Sequence, residues 1–231
     1  MSLSDDIPEA VEKVFREAWS ERVGKVVPDP SSLLLGNDAV ILHGTILYAD
    51  MSGSTYLVDN HPAQFAAEIY KAYLASSAHI IKENDGVITA YDGDRIMAVF
   101  IGDSKNTNAS KSAFNIAWSV NQVINPAIKL QYPSTTYQMN YSIGIDTSQV
   151  LVSRVGVKND NDLVWVGRAA NYAAKLSDLE AGAIYITRQV FDQLHESCKY
   201  YGNPSESMWD TRTWTAMNLF VYRSTWWLKP S

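Results

Sequence analysis

Cysteine is nearly absent. Cys198 stands alone in 231 residues, which excludes an internal disulfide framework and any cysteine-rich zinc site. The expected state of that thiol is inert and partly buried. Basic charge is also short: Lys and Arg number 19 against 25 Asp and Glu, a formal net charge of −6. No global positive field is available to hold a nucleic-acid backbone. No apolar run approaches the ~20 residues of a membrane span. The opening Met1-Ser-Leu-Ser-Asp-Asp-Ile-Pro8 lacks the basic and apolar regions of a signal peptide. Repeats and low-complexity segments are missing too. These absences leave a globular, cytoplasmic protein with neither nucleic acid nor membrane as partner, long enough for one well-buried domain and short for two.

What is present alternates between helix and strand signals. Residues 8 to about 23 read as a helix, with Ala10, Val11, Val14, Phe15 and Ala18 at helical spacing, and Pro28-Asp-Pro30-Ser-Ser breaks it as a linker. Residues 40–49 read as a buried strand. Pro62 opens a long helix, as an N-terminal proline does, with Phe65, Ile69, Ala72, Tyr73, Ser76 and Ile80 as its inner stripe. Asn84-Asp-Gly86 ends that helix and starts a hairpin, whose strands 87–91 and 95–100 meet at an Asp92-Gly93 turn. A second long helix is expected over 104–125, stopped by Pro126. Residues 137–146 alternate as a half-buried strand. Further strands follow at 149–155, 163–166 and 183–187, and helices at 169–178 and 188–198. The order β-α-α-β-β-α-β predicts an α+β fold, with helices covering one face of a mainly antiparallel sheet.

The tail carries Trp209, Trp214, Trp226 and Trp227, four of the seven tryptophans, and an edge strand is expected at 217–222. The rings are expected to close the core or a dimer interface. A base-stacking platform needs a positive groove that is not evident. The chain divides into an N-terminal helix and linker (1–35), a catalytic domain (36–200) and a Trp-rich strand extension of the same domain (201–231).

The chemistry rests on two aspartates. Asp50 ends the apolar run Ile41-Leu-His-Gly-Thr-Ile-Leu-Tyr-Ala-Asp50, and Asp94 sits in Gly86-Val-Ile-Thr-Ala-Tyr-Asp-Gly-Asp94-Arg-Ile-Met-Ala-Val-Phe100. A carboxylate in such a stretch costs free energy unless a cation meets it. Mg²⁺ prefers a few carboxylates plus substrate phosphates, so a nucleotide-triphosphate site follows. Alternation puts Tyr48 and Asp50 on one face, and Ala90, Asp92 and Asp94 on another shared face. Ser52-Gly-Ser-Thr55 is a small-residue loop entering a helix, able to offer backbone N–H groups to a phosphate. Asn171 and Lys175 lie at i and i+4 on a helix kept slim by Ala170, Ala173 and Ala174.

Four segments together, Leu47-Tyr-Ala-Asp50-Met-Ser-Gly-Ser, Gly93-Asp94-Arg-Ile-Met-Ala-Val-Phe100, Ser142-Ile-Gly-Ile-Asp146-Thr and Val166-Gly-Arg-Ala-Ala-Asn171-Tyr-Ala-Ala-Lys175, resemble class III nucleotidyl cyclases over about residues 38 to 200. The resemblance implies a ferredoxin-like, polymerase-palm-type fold and a head-to-tail homodimer with active sites between the subunits. It implies that Asp50, Asp94 and the backbone carbonyl of Met51 ligate two Mg²⁺ or Mn²⁺ ions, and that Asn171 of a second subunit orients the ribose. Lys175 falls where the family usually has an arginine. It supplies positive charge without the planar bidentate fork, and Arg168 or Arg212 is a candidate to supplement it.

The base pocket departs further. The family's purine-reading lysine is replaced by Ala90, and its purine-reading aspartate or threonine by Val164. A site without those partners loses the discrimination they supplied. Tyr48, Asp92 and Trp165 add bulk and polarity suited to a smaller base. This combination resembles the stand-alone pyrimidine cyclases of the bacterial Pycsar anti-phage system. That resemblance implies cyclic UMP, or less favoured cyclic CMP, as a messenger for a separate effector protein. The competing readings are an adenylate or guanylate cyclase with an atypical pocket, and a catalytically degenerate nucleotide-binding signalling domain.

Overall fold

The computed structural model describes residues 2–157, 159–202 and 205–231. Helix α1 (Leu3–Arg16) begins where the Asp5 carboxylate accepts from both the backbone N–H and the hydroxyl of Ser2. It therefore starts before Pro8 and carries that proline inside, against the expectation of a helix opening there. It also stops earlier than expected. Residues Ser20–Val23 are drawn out as β1, which pairs in parallel with the start of β2 (Asp38–Ser52). The ladder satisfies backbone groups that a longer helix would have satisfied internally.

After β2 come α2 (Ser54–Asn60), α3 (Ala63–Glu83), β3 (Val87–Asp92), β4 (Arg95–Phe100), α4 (Lys105–Ser119) and α5 (Asn125–Gln131). They are followed by β5 (Asn140–Val157), β6 (Asp160–Val166), α6 (Arg168–Ser177), β7 (Ala183–Thr187) and α7 (Arg188–Asp192). Four further strands, β8 (Tyr200–Tyr201), β9 (Glu206–Ser207), β10 (Asp210–Trp214) and β11 (Leu219–Ser224), complete the order. A π turn over Val120–Ile124 joins α4 to α5, so the helix runs past Pro126 instead of stopping before it. In that turn the Asn125 N–H reaches back to Val120 O, and the widened backbone passes the proline without the ring–carbonyl clash of a regular helix.

The nine-stranded sheet has the order β10-β11-β7-β5-β2-β4-β3, with β1 on β2 and β6 on β5. It is mixed: β1/β2 and β5/β7 are parallel and the remaining pairs antiparallel. Residues 149–155, expected as a separate strand, are the outer half of the continuous β5, which bonds β2 from Ala39↔Ser153 to Ser52↔Asn140. The 217–222 segment is not the edge, because β11 lies between β7 and the true edge strand β10. The helix expected over 188–198 is only α7 and a later 3₁₀ turn at Glu196–Cys198.

Both faces of the sheet are covered, which corrects the one-face expectation. Leu47, Ala49, Met51, Ile143 and Ile145 bury against α3 and α4. On the opposite face Leu42, Ile46, Val99, Val150 and Val152 bury against Ala169, Ala170 and Ala173 of α6. The tail closes the core as expected: Trp209 is buried, donates to Cys198 O at 2.7 Å and meets Phe114 at 5.3 Å. Trp214 is buried edge-on to Tyr172, whereas Trp227 stays 42% exposed. Burial pushes the Cys198 thiol up, as an inert cysteine requires.

The seating of α6 depends on Gly144 of β5. A Cβ there would stand 2.1 Å from Ala173 O and 2.6 Å from Ser177 N, so helix backbone rests directly on strand backbone. Gly144→Ala is expected to cost about 2–4 kcal/mol, since rigid backbone cannot yield as a side chain does. Urea unfolding monitored by tryptophan fluorescence measures it.

Candidate active site

Asp50 lies near the end of β2, and Asp94 lies in the two-residue turn between β3 and β4. That turn is Gly93-Asp94, one residue later than the expected Asp92-Gly93. The ladder closes at Asp92↔Arg95, and Gly93 takes the positive φ of +62° that the first position of a II′ turn demands. The β2–β4 ladder runs out at Ala49↔Ile96, which leaves Asp50 beside the hairpin tip. The two carboxylates repel each other. Burial, then the charge of Asp94, raises the Asp50 carboxyl to about 6, with Asp178 adding to the effect while Arg95 and the Met51 amide oppose it.

Arg95 and Asp178 complete this acidic end. The Arg95 guanidinium stands 3.5 Å from Asp92, 3.6 Å from Asp178 and 5.5 Å over the Tyr48 ring. Its charge lowers the Asp50 carboxyl, but it is already paired with Asp92 and Asp178. The buried Tyr73 of α3 donates its hydroxyl to Asp50 O at 3.2 Å. Burial, reinforced by Asp50 and Asp94, keeps that phenol protonated. In the sequence Tyr73 shows only as a core residue of the α3 stripe. Arg95 follows Asp94 directly but has no sequence signal of its own, and nothing in the sequence points to Asp178, because its approach to Arg95 is made by tertiary packing.

The remaining expected residues sort by position. Ser52 ends β2, Gly53 turns with φ +79°, and Ser54 and Thr55 open α2, directly after the metal-ligand candidates Asp50 and Met51. Ala90 and Tyr48 flank Met97 in one row across β3, β4 and β2, and both pack on the α6-side cluster. Asp92 is largely exposed at the hairpin tip. Val164 and Trp165 stand elsewhere. Trp165 pairs with Val152, which pairs with Val40, and from Val40 to Tyr48 the strand rises ~26 Å. Trp165 faces the cluster, and Val164 alternates to the other side. One protomer therefore does not bring these two to Tyr48.

Asn171 and Lys175 are exposed on α6. Arg168 is not free to supplement them. It holds the fully buried Asp146 with two bonds of 3.0 and 3.2 Å and donates to Thr147 O at 2.7 Å, fastening the first turn of α6 to β5. Arg212 is half-exposed on the edge strand β10, beside Asp210.

Do these residues suit divalent ions? Among the described residues no cluster of three or more His, Cys, Asp or Glu side chains could hold a metal by itself. Two carboxylates, one of them raised by burial and then by the charge of the other, fit an ion that completes its shell with substrate phosphates and water.

The chain belongs to the adenylate and guanylate cyclase catalytic-domain family, whose model matches residues 41–212; it is a nucleotidyl cyclase. It is 46% identical to a uridylate cyclase of Xanthomonas perforans, over 98% of both chains. It is 42% identical to a uridylate cyclase of Burkholderia cepacia, again over 98% of both. The fold matches that of the adenylyl cyclase CyaB from P. aeruginosa with a TM-score of 0.67 at 18% identity, over 80% of this chain and 95% of that one. Among the described residues no helix is long and apolar enough to cross a membrane.

The raised Asp50 carboxyl carries a stability consequence. A folded-state value above the unfolded ~3.9 means that protonation favours folding, so stability is lost as pH rises from about 4 to about 6. Above that range, in chelator, Asp50→Asn is expected to gain about 1 kcal/mol after allowance for the group's partial exposure, or about 2–4 °C in Tm. Thermal scans at pH 7.5 with EDTA test this, and a fall in Tm would contradict it.

Proposed function

We propose that the protein converts UTP, in preference to CTP, into the 3′,5′-cyclic monophosphate and pyrophosphate, with residues 36–200 as the catalytic unit and 1–35 and 201–231 as additions to it. The observation that carries this reading is the Tyr48–Arg95 pair beside Asp50 and Asp94, in a chain whose purine-reading positions hold Ala90 and Val164. A guanidinium only donates. It suits the O4 carbonyl of uracil, whereas it meets the N4 amine of cytosine donor to donor. Asp92, beside Arg95, is an acceptor for the uracil N3–H. The Xanthomonas and Burkholderia relatives, both uridylate cyclases, support the same base.

In the reaction the ribose 3′-oxygen attacks the α-phosphorus and pyrophosphate leaves. Two Mg²⁺ or Mn²⁺ ions held by Asp50, Asp94 and the Met51 carbonyl would lower the pKa of the 3′-hydroxyl and neutralise the triphosphate. Backbone N–H groups from Ser52, Gly53, Ser54 and Thr55 receive phosphate oxygens at the start of α2. Asn171 and Lys175 come from a second copy, with Asn171 orienting the ribose and Lys175 balancing charge on the transferring phosphoryl group. Val164 and Trp165, ~26 Å along the sheet from Tyr48, close the base pocket from that second copy. The homodimer is cytoplasmic, and its product is a messenger for a separate cyclic-nucleotide-sensing effector in anti-phage defence.

Purified protein supplied with each of the four NTPs and Mn²⁺ is expected to form mainly cyclic UMP; dominant cyclic AMP or cyclic GMP would overturn the base assignment. Tyr48→Phe is expected to shift the ratio of products from UTP and CTP, and an unchanged ratio removes Tyr48 as a base reader. Asp50→Ala and Lys175→Ala should each lose at least about 10²-fold in kcat. Mixed together they should recover about a quarter of wild-type activity, from the one intact site in each heterodimer. No recovery would place both residues in a single subunit's site. Cells carrying the intact gene and its effector should resist phage, and cells carrying Asp94→Ala should not.

A further inference from the structure

Helix α1 has none of its residues buried, yet Leu3, Ile7, Ala10, Val11, Val14 and Phe15 share one face of it. Leu3 is 74% exposed and Phe15 86%. The helix is nevertheless fastened at one end. The Asn37 amide donates to Val14 O at 2.9 Å and to Glu17 O at 2.7 Å, and β1 continues from the helix into the sheet. An apolar face held in place and left uncovered calls for an occupant.

The charge pattern says which. Leu3, Ile7, Ala10 and Val14 follow the 4-3-4 spacing of a coiled-coil seam. Asp6 and Lys13 flank that seam on the same side, seven residues apart. Acids (Asp5, Asp6, Glu9, Glu12) fill the first part of the helix and bases (Lys13, Arg16) the last turn. Two copies side by side in parallel would set acid against acid and base against base. Two copies antiparallel about a two-fold axis set Leu3 against Val14 of the other copy, Ile7 against Ala10, and Asp6 beside Lys13 twice over. In the single chain Lys13 meets only Glu17, at 3.5 Å and in solvent, a contact too weak to hold it back. The excess of acid also opposes docking on an anionic lipid surface.

We infer that α1 is a self-recognition arm, pairing antiparallel with α1 of a second copy through the Leu3–Ile7–Ala10–Val14 seam and reciprocal Asp6–Lys13 contacts. A pair of helices this short is marginal alone. It gains from the high effective concentration that an existing catalytic-domain contact supplies, so it ties the two copies together at a second point. The arm rests on the homodimer of the proposed function, and its pairing is measured apart from cyclisation.

The test uses the full chain carrying Leu3→Cys or Val14→Cys; the native Cys198 is buried and does not compete. In the antiparallel pair the two Leu3 positions lie ~16 Å apart, too far for a disulfide. An equimolar mixture of the two variants under mild oxidation is therefore expected to give at least about ten times the cross-linked dimer of either variant alone. Adding Asp6→Lys to both should lower that yield about three- to tenfold through two reversed contacts, and adding Lys13→Asp as well should restore it. Self-cross-linking of Leu3→Cys alone would show a parallel pair and overturn the assignment. A mixture that forms no cross-link while cyclising UTP at the wild-type rate would overturn the arm and leave the reaction standing. Absence of cross-link except on anionic vesicles would assign the face to lipid instead.

Discussion

The molecule is organised around two carboxylates that do not want to be neighbours. Asp50 is carried to the end of β2 by a run of buried apolar residues, and Asp94 is placed by a II′ turn whose position follows from the β3–β4 register. Half-burial first, and then their mutual repulsion, raises Asp50 to about 6. The core stabilisation of the sheet outweighs that cost, and the buried Tyr73 hydroxyl holds the Asp50 backbone where it is. A site that stores unfavourable charge of this kind gains from a cation and a substrate that bring the missing positive charge and ligands.

A second rigid element stands apart from the first. Backbone contact at Gly144 and the buried Asp146–Arg168 pair seat α6 on β5, so Asn171 and Lys175 project from a helix that cannot shift without breaking both. The sheet also separates what the base pocket was expected to unite. Tyr48, Ala90 and Asp92 gather at the hairpin end, and Val164 and Trp165 lie far along β2 and β5. A long pair of strands is a ruler, and here it sets these two groups of residues apart within one chain.

Much of this was legible in the residues, though unevenly. The β7 strand, the α3 helix and the turn at Gly53 could be read because each depends on local chemistry: a β-branched run, a helical stripe, a small residue before a helix. The prolines misled. Pro8 lies inside α1 because the Ser2–Asp5 contacts start the helix earlier, and Pro126 is passed through a π turn. In the second case the wider turn removes the clash that a regular helix would impose. Arg168 read as a spare cation because its partner, Asp146, is distant in sequence and wholly buried. The same distance hid Asp178 from Arg95.

The sequence by itself determined the central elements from β2 to β4, the acid pair and the family, because apolar periodicity and four spaced motifs are written in neighbouring residues. The tertiary structure alone decided which groups face one another. It showed that Arg95 bridges Tyr48, Asp92 and Asp178, that Arg168 is engaged, that α6 covers the second face, and that α1 is left uncovered. Such facts arise from register and packing between segments tens of residues apart, where chain order sets no distance and only the closed sheet brings side chains to their partners.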